Sequence, residues 1–251
     1  MKKNSIKTGS EQFLDLAIQT LDNECVGCNH CARICPIESA NVIVQDEVQS
    51  VKVNIDHSQC IKCGKCLEVC KHSARFVHDD LTRFLGDLEA GKDISVVLAP
   101  SIRTNIPEWR QLIGWLRQLG VKFVYDVALG ADICIWAHLR LIEKNPGPII
   151  TQPCPSIVAY CERHKHELLP FLSPIHSPMA CTAIYMHKQG VEHGIASLSP
   201  CVAKSLEHGS TKLIQYNITF VKLLEYIKRN HIELPKKESG FDHYNSGPGL
   251  L

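Results

Sequence analysis

Two hydrophobic patterns follow each other along the chain, and they change at Gly91. Beyond Gly91, short runs rich in β-branched residues alternate with longer segments whose apolar side chains recur at helical spacing. The runs predict strands at 94–99, 122–127, 148–151, 195–199 and 213–218, and the segments predict helices at 108–119, 131–143, 156–164, 179–189 and 221–229. This alternation predicts an α/β domain over residues 92–251, with a mainly parallel sheet covered by helices.

The elements before Gly91 are shorter and less regular. Residues 1–21 predict a polar lead and a short amphipathic helix, because Phe13, Leu14, Ala17, Ile18 and Leu21 recur at helical spacing. Two β-branched runs at 42–44 and 51–53 predict a hairpin within a module spanning 22–78. Residues 79–91 predict a linker helix that begins at Asp79 or Asp80 and stops at Gly91. We place the domain boundary in that helix.

The chemistry of the first module lies in its cysteines. The chain has 13 cysteines, and most of them form an internal repeat in which the spacing Cys-x2-Cys-x2-Cys-x3-Cys occurs twice. These eight residues are Cys25, Cys28, Cys31, Cys35, Cys60, Cys63, Cys66 and Cys70. A pair of zinc ribbons is the alternative, but duplicated triplets supply more thiolates than tetrahedral zinc requires.

The first repeat, which ends in Cys35-Pro36, resembles the bacterial ferredoxin motif. In that motif, three close thiolates hold one [4Fe-4S] cube and the fourth reaches the other. This assigns Cys25, Cys28, Cys31 and Cys70 to the first cluster, and Cys35, Cys60, Cys63 and Cys66 to the second. We expect Gly27 and Gly64 to turn the backbone around the cubes. Protonated His72, Arg75 or His78 could raise a cluster potential, but we expect ordinary surface residues there.

Composition limits the partners and the compartment. Lys and Arg number 27 against 26 for Asp and Glu. The resulting net charge of +1 does not indicate binding to nucleic acid or to an anionic membrane. Polar residues interrupt any signal-peptide core near the N-terminus, and no apolar stretch is long enough to span a bilayer. Clustered thiolates fit a reducing compartment. We expect a soluble, cytoplasmic protein.

Three segments of the second domain resemble the H-cluster domain of [FeFe] hydrogenases, in the family's order. They begin at Val97-Leu98-Ala99-Pro100-Ser101, at Ile150-Thr151-Gln152-Pro153-Cys154-Pro155 and at Ser199-Pro200-Cys201-Val202-Ala203-Lys204. The implied fold is an α+β ferredoxin-like 2[4Fe-4S] module followed by the α/β domain.

The resemblance also implies roles for single residues. Cys154 and Cys201 match two of the four cysteines that hold a third [4Fe-4S] cluster of H-cluster type, with or without its diiron unit. Ala99, Pro100 and Ser101 match the backbone around the diiron unit, and Lys204 matches a lysine that contacts one of its cyanides. For each residue the alternative is structural, because a lone cysteine is most often a small buried hydrophobe and a lysine is most often solvated.

The departures from the family concern proton supply and ligation. Pro153 stands where active hydrogenases have a proton-carrying cysteine, and proline has no thiol to titrate. Of the further relay positions, Ser173 is kept, whereas His138 and Leu141 replace glutamates. The family's Cys-x3-Cys pair is absent, and Cys161 and Cys181 are the best substitutes, although structural roles are expected for both. We expect a chain cut within a domain, or one completed by a partner.

The same kinds of change are found in the sensory branches of the family, which this chain therefore resembles. We therefore expect an iron–sulfur protein that passes electrons to a modified site for redox or hydrogen sensing, with a redox protein or a signalling domain as partner. One alternative is an active hydrogenase, of the ferredoxin hydrogenase class, completed by missing sequence or by a partner. The other is a simple ferredoxin-like electron carrier.

Overall fold

The structure is a computed structural model that describes residues 17–45, 50–151 and 153–243. The strands are β1 Ile18–Thr20, β2 Asn41–Gln45, β3 Val51–Ile55, β4 Arg75–Val77, β5 Ile94–Leu98, β6 Val124–Asp126, β7 Gly194–Ser199 and β8 Tyr216–Thr219. The α-helices are α1 His30–Ile34, α2 Lys65–Glu68, α3 Leu81–Glu89, α4 Ile102–Asn105, α5 Trp109–Gln118, α6 Val127–Lys144, α7 Pro155–His164, α8 Pro178–Lys188, α9 Lys204–Thr211 and α10 Phe220–Arg229. Short 3-10 helices lie at Glu38–Ala40 and His166–Phe171.

The chain divides into two compact units that are not contiguous in sequence. The first unit contains the residues up to His78 together with Pro155–His166 and Val202–Ser210, and the second contains the remainder. The sequence pattern predicts a single boundary within 79–91 and gives no sign that two later segments join the cysteine-rich module. The helix predicted at 79–91 is present as α3, but it is part of the second unit.

The first unit is built on two antiparallel strand pairs. Strands β2 and β3 form the predicted hairpin, with Ile43 opposite Val53. Strand β1 pairs with β4, so that Ile18 lies opposite Val77. The predicted N-terminal helix is therefore wrong at residues 18–20, because pairing with β4 outweighs the helical spacing of the apolar residues. The rest of that predicted helix, except Ala17 and Leu21, lies outside the described residues.

The second unit is centred on a parallel sheet in the order β6-β5-β7-β8. Each residue of the central strand β5 is buried, as expected for a parallel strand covered on both faces. The helix α3 is joined to β8 at its start, where the Asp79 carboxylate accepts hydrogen bonds from the backbone N and the Oγ1 of Thr219 at 2.8 and 2.7 Å. The predicted α/β domain with a parallel sheet is confirmed.

Most predicted elements of the second half of the chain are present, with shifted ends. The strand predicted at 148–151 is wrong, because Ile150 makes only an isolated bridge to Leu172. Pro148 cannot donate to a strand ladder, and this explains why the short apolar run does not join the sheet. The pattern also missed the helices α4 and α9.

Helices α6 and α8 approach each other closely in the second unit. A Cβ added at Gly130 of α6 would lie 1.9 Å from the Pro178 carbonyl oxygen and 2.3 Å from Thr182 Oγ1, both of which belong to α8. Real Cβ atoms do not make contacts this short. The absence of a side chain at Gly130 therefore sets the separation of the two helices.

Candidate functional site

The two cysteine motifs have matching backbone conformations. In the first motif Gly27 and Asn29 have φ angles of 66° and 61°, and in the second Lys62 and Gly64, at the equivalent positions, have φ angles of 56° and 84°. Left-handed backbone at the same two places bends both loops in the same way. Gly27 and Gly64 therefore turn the backbone as expected, whereas Lys62 adopts a conformation that non-glycine residues rarely adopt.

Each motif lines one cleft, and each cleft receives a fourth cysteine from the other motif. A cleft of about 320 Å³ is lined by Cys25, Cys28, Cys31 and Cys70. A second cleft of about 340 Å³ is lined by Cys35, Cys60, Cys63 and Cys66. The structure thus brings together the two sets of four cysteines that the ferredoxin spacing assigns to one cluster each.

The donor set of the two clefts fits cubane iron–sulfur clusters. Every cysteine of the chain is a thiol, with no disulfide, and each cleft offers four of them. Burial raises the pKa of Cys66 to about 12 and also raises the pKa of Cys60. Since the thiolate is the metal ligand, iron must displace a firmly held proton from each of these two residues.

A later segment of the chain holds the entrance to the second motif. Arg163 of α7 donates from Nη1 to the carbonyl oxygens of His57 and Cys60, at 3.1 and 2.8 Å. His164 Nε2 lies 2.8 Å from the Gln59 carbonyl oxygen. Three backbone carbonyls that lead into the motif are satisfied in this way by side chains from about 100 positions further along the chain.

Arg75 does not have the surface position expected from the sequence. Its side chain is only 7% exposed, because β4 turns it inward against β1, whereas His72 and His78 are exposed as expected. Its Nη2 lies 3.4 Å from Cys31 Sγ. A guanidinium group therefore contacts a cysteine of the first cleft directly.

The candidate residues of the second unit lie at the carboxyl ends of two neighbouring strands. Ala99, Pro100 and Ser101 follow β5, and Cys201 follows β7, whose Leu198 carbonyl accepts a 3.0 Å hydrogen bond from Ala99 N. In the sheet order β6-β5-β7-β8, β6 lies on one side of β5, whereas β7 and β8 lie on the other side. The order in which the chain adds strands therefore reverses between β5 and β7. Open parallel sheets bind ligands outside the carboxyl ends of strands at such a point.

The remaining cysteines of the second unit lie on, or next to, the helices α6, α7 and α8. Cys154 is half-buried just before α7. Cys134 Sγ and Cys181 Sγ both donate to the His176 carbonyl oxygen, at 3.4 and 3.5 Å. Among the described residues, no three His, Cys, Asp or Glu side chains are grouped to hold a single metal ion. Cys161 belongs to the first unit, where it is 1% exposed on α7.

Two of the positions matched to the family's proton relay contact each other. Ser173 Oγ lies 2.9 Å from His138 Nε2, and His138 Nδ1 lies 2.8 Å from the Cys134 carbonyl oxygen. Leu141 has no polar group, and Pro153 is exposed. The structure therefore brings the imidazole of His138 and the hydroxyl of Ser173 within hydrogen-bonding distance of each other.

Lys204 is buried, which differs from the solvated lysine considered as the alternative. Its Nζ lies 2.7 Å from Glu207 Oε2, one turn along α9. On the same helix His208 is also buried, and neither of its ring nitrogens has a hydrogen-bond partner among the described residues. Burial, aided by the charge of Lys204, lowers the pKa of His208 to about 3. His208 is therefore neutral at physiological pH.

A duplicated motif around two thiolate-lined clefts, joined to a parallel α/β sheet, defines a two-cluster iron–sulfur protein with an electron-transfer role. Residues 24–74 match the 4Fe-4S dicluster domain, so the clusters are of the [4Fe-4S] type. Residues 92–248 match the family described as iron only hydrogenase large subunit, C-terminal domain, and the chain belongs to that family.

The chain is also similar to curated proteins and to solved structures. It is 26% identical to the cytosolic Fe-S cluster assembly factor NAR1 of Eremothecium gossypii over 68% of this chain and 41% of the relative. It is 26% identical to the periplasmic [Fe] hydrogenase large subunit of Nitratidesulfovibrio vulgaris over 89% of this chain and 60% of the relative. An apo variant of the [FeFe]-hydrogenase HydA1 from Chlamydomonas reinhardtii matches with a TM-score of 0.55 and 26% identity, over 69% of this chain and 54% of that one.

The chain thus spans less than two thirds of the length of these relatives. Across the residues that the structure describes, no helix combines the length and the apolar character needed to cross a membrane.

Proposed function

We propose that this chain is a cytoplasmic electron-transfer protein whose two [4Fe-4S] clusters serve a modified hydrogenase-like site in redox or hydrogen sensing. The eight cysteines of the two clefts are the proposed cluster ligands. The observation that carries the proposal is the combination of two complete thiolate-lined clefts with a relay that has lost its thiol at Pro153. Electron supply is intact, whereas rapid proton supply, which hydrogen turnover requires, is not.

The proposed modified site lies at the carboxyl ends of β5 and β7. Cys154 and Cys201 are its proposed ligands for a third [4Fe-4S] cluster, with or without a diiron unit. Ala99, Pro100 and Ser101 supply backbone at the switch point of the sheet, where such sheets bind ligands. Lys204 is assigned to the site by the family resemblance, and its ion pair with Glu207 supports a positioning role rather than proton transfer.

The first test is the iron and acid-labile sulfide content of the anaerobically reconstituted chain. Each cube contributes about four irons, so a third cluster predicts about twelve irons per chain. A Cys154→Ser, Cys201→Ser double variant should contain about eight, while Cys134→Ser, the matched control, should keep about twelve. About eight irons in the parent chain would rule out the third cluster and leave a simple electron carrier.

The second test addresses the sensing role. Hydrogen added to the oxidised chain should change the absorption of its clusters, and the double variant should lose that response. An unchanged spectrum in the parent chain would refute hydrogen sensing. Sustained hydrogen evolution from a reduced mediator would instead support an active hydrogenase completed by further sequence or by a partner, and Pro153 predicts that this activity is absent.

A second candidate function is cluster assembly, and the names of several relatives favour it. The relatives from Eremothecium gossypii, Vanderwaltozyma polyspora and Candida dubliniensis are cytosolic Fe-S cluster assembly factors. For this chain, assembly predicts transfer of labelled iron and sulfide from the loaded protein to an apo-ferredoxin. Retention of the label by the loaded chain would refute assembly, and a redox protein or signalling domain would then be the expected partner.

A further inference from the structure

Arg75 is a buried cation whose partners are neutral. Its guanidinium donates to Asn41 Oδ1 at 2.8 Å, to the Val53 carbonyl oxygen at 3.0 Å and to Thr20 Oγ1 at 2.5 Å. Among the described residues, no carboxylate pairs with it. A buried charge without a counter-charge is strongly destabilising, so the position calls for a source of negative charge nearby.

The proposed cluster ligands supply that negative charge. Arg75 lines the first cleft, and its Nη2 lies 3.4 Å from Cys31 Sγ. A cube held by four thiolates is an anion, and it gains a further negative charge when it accepts an electron.

We propose that Arg75 is a positioning residue that raises the reduction potential of the first cluster, the one held by Cys25, Cys28, Cys31 and Cys70. One electron from a low-potential donor converts the oxidised cube to the reduced cube, with no other bond made or broken. A guanidinium that donates to a ligating sulfur stabilises the more negative, reduced state more than the oxidised state. The buried position strengthens this effect, because solvent does not screen the charge.

The proposal rests on cluster ligation and not on the sensing role. It holds for a sensor, an assembly factor or a simple carrier, because it concerns only the first cluster and its surroundings. Failure of the tests for hydrogen sensing would leave it untouched.

The test is a redox titration of the reconstituted chain, monitored by electron paramagnetic resonance. Cys28→Ser and Cys63→Ser, which alter exposed cysteines of one cleft each, assign the two one-electron transitions. In Arg75→Gln the ratio of reduced to oxidised first cluster, at the parent's midpoint, should fall about tenfold, which corresponds to about 59 mV for one electron. Arg75→Lys should retain most of the parent value, because the charge is kept.

Two further variants separate charge from structure. Asn41→Asp places a carboxylate on the guanidinium while keeping Arg75, so it should also lower the potential of the first cluster, even if Arg75→Gln does not assemble. Arg83→Gln removes an exposed arginine of α3 and should change neither potential. An unchanged first potential in Asn41→Asp, or in an Arg75→Gln chain with full iron and sulfide content, would overturn the proposal, as would an equal fall in both potentials.

Discussion

The close approach of α6 and α8 predicts opposite outcomes for the same substitution at two helical glycines. In Gly130→Ala the new Cβ would meet the Pro178 carbonyl oxygen at 1.9 Å. An ordinary contact between a carbon and a carbonyl oxygen is about 3.3 Å, so the helices must separate by about 1.4 Å. Gly86 lies on the exposed side of α3, and a Cβ there meets nothing within 4 Å.

The magnitudes follow from these two environments. Overpacking against backbone costs up to about 3 kcal/mol, and the better helix propensity of alanine returns about 1 kcal/mol. We therefore expect Gly130→Ala to lower the free energy of unfolding by about 2 kcal/mol. Gly86→Ala gains the propensity without the collision, and it should raise the free energy of unfolding by about 0.5–1 kcal/mol.

Anaerobic urea unfolding of the reconstituted chain, followed by far-UV circular dichroism, measures both effects. If the free energy of unfolding falls with urea concentration at the same slope in the parent and the variants, the changes reflect stability and not a change in the unfolded state. The reasoning fails if Gly130→Ala is as stable as the parent, or if the two variants shift in the same direction.

Three further predictions concern the clusters and the buried histidine. Cys35→Ser should lower the iron content by about four per chain and remove the redox transition of the second cluster. Loss of the first cluster's transition instead would contradict the assignment of Cys35 to the second cluster. Arg163→Met removes charged hydrogen bonds worth about 1.5–3 kcal/mol each, so an iron chelator should strip the second cluster faster than in the parent, whereas equal rates would exclude this role. His208 has a folded-state pKa far below its unfolded value of about 6.5, so the unfolded chain binds its proton first and stability falls as the pH drops. Between pH 7 and 5.5 the free energy of unfolding should fall by about 1 kcal/mol. Urea unfolding of His208→Leu should not show this fall, and an equal fall in that variant would refute the role of His208.

The sequence alone predicts the parts of the molecule that depend on spacing. The duplicated motif indicates which four cysteines share each cleft, because short loops leave little freedom in how they fold around a cube. The buried strand β5 is predicted equally well, since its continuous apolar run is typical of a parallel sheet.

Features that depend on long-range pairing could not be predicted in this way. Arg75 looks like a surface residue in a polar segment, and only its place in β4, opposite Thr20 in β1, turns it inward. Lys62 looks like an ordinary loop residue, yet it has the left-handed backbone that Gly27 has in the first motif. The run at 148–151 has the composition of a strand, but within the described part of the chain no strand of the sheet pairs with it.

The support that α7 gives to the second motif has a consequence for synthesis on the ribosome. The last cysteine of the repeat emerges well before Arg163 and His164 do, and until then the carbonyls of His57, Gln59 and Cys60 lack these partners. Contacts of such long sequence separation form late in folding. The nascent chain therefore presents its second set of thiols before that set is fixed in place, and iron delivered too early would meet a loop that has not yet taken its final form.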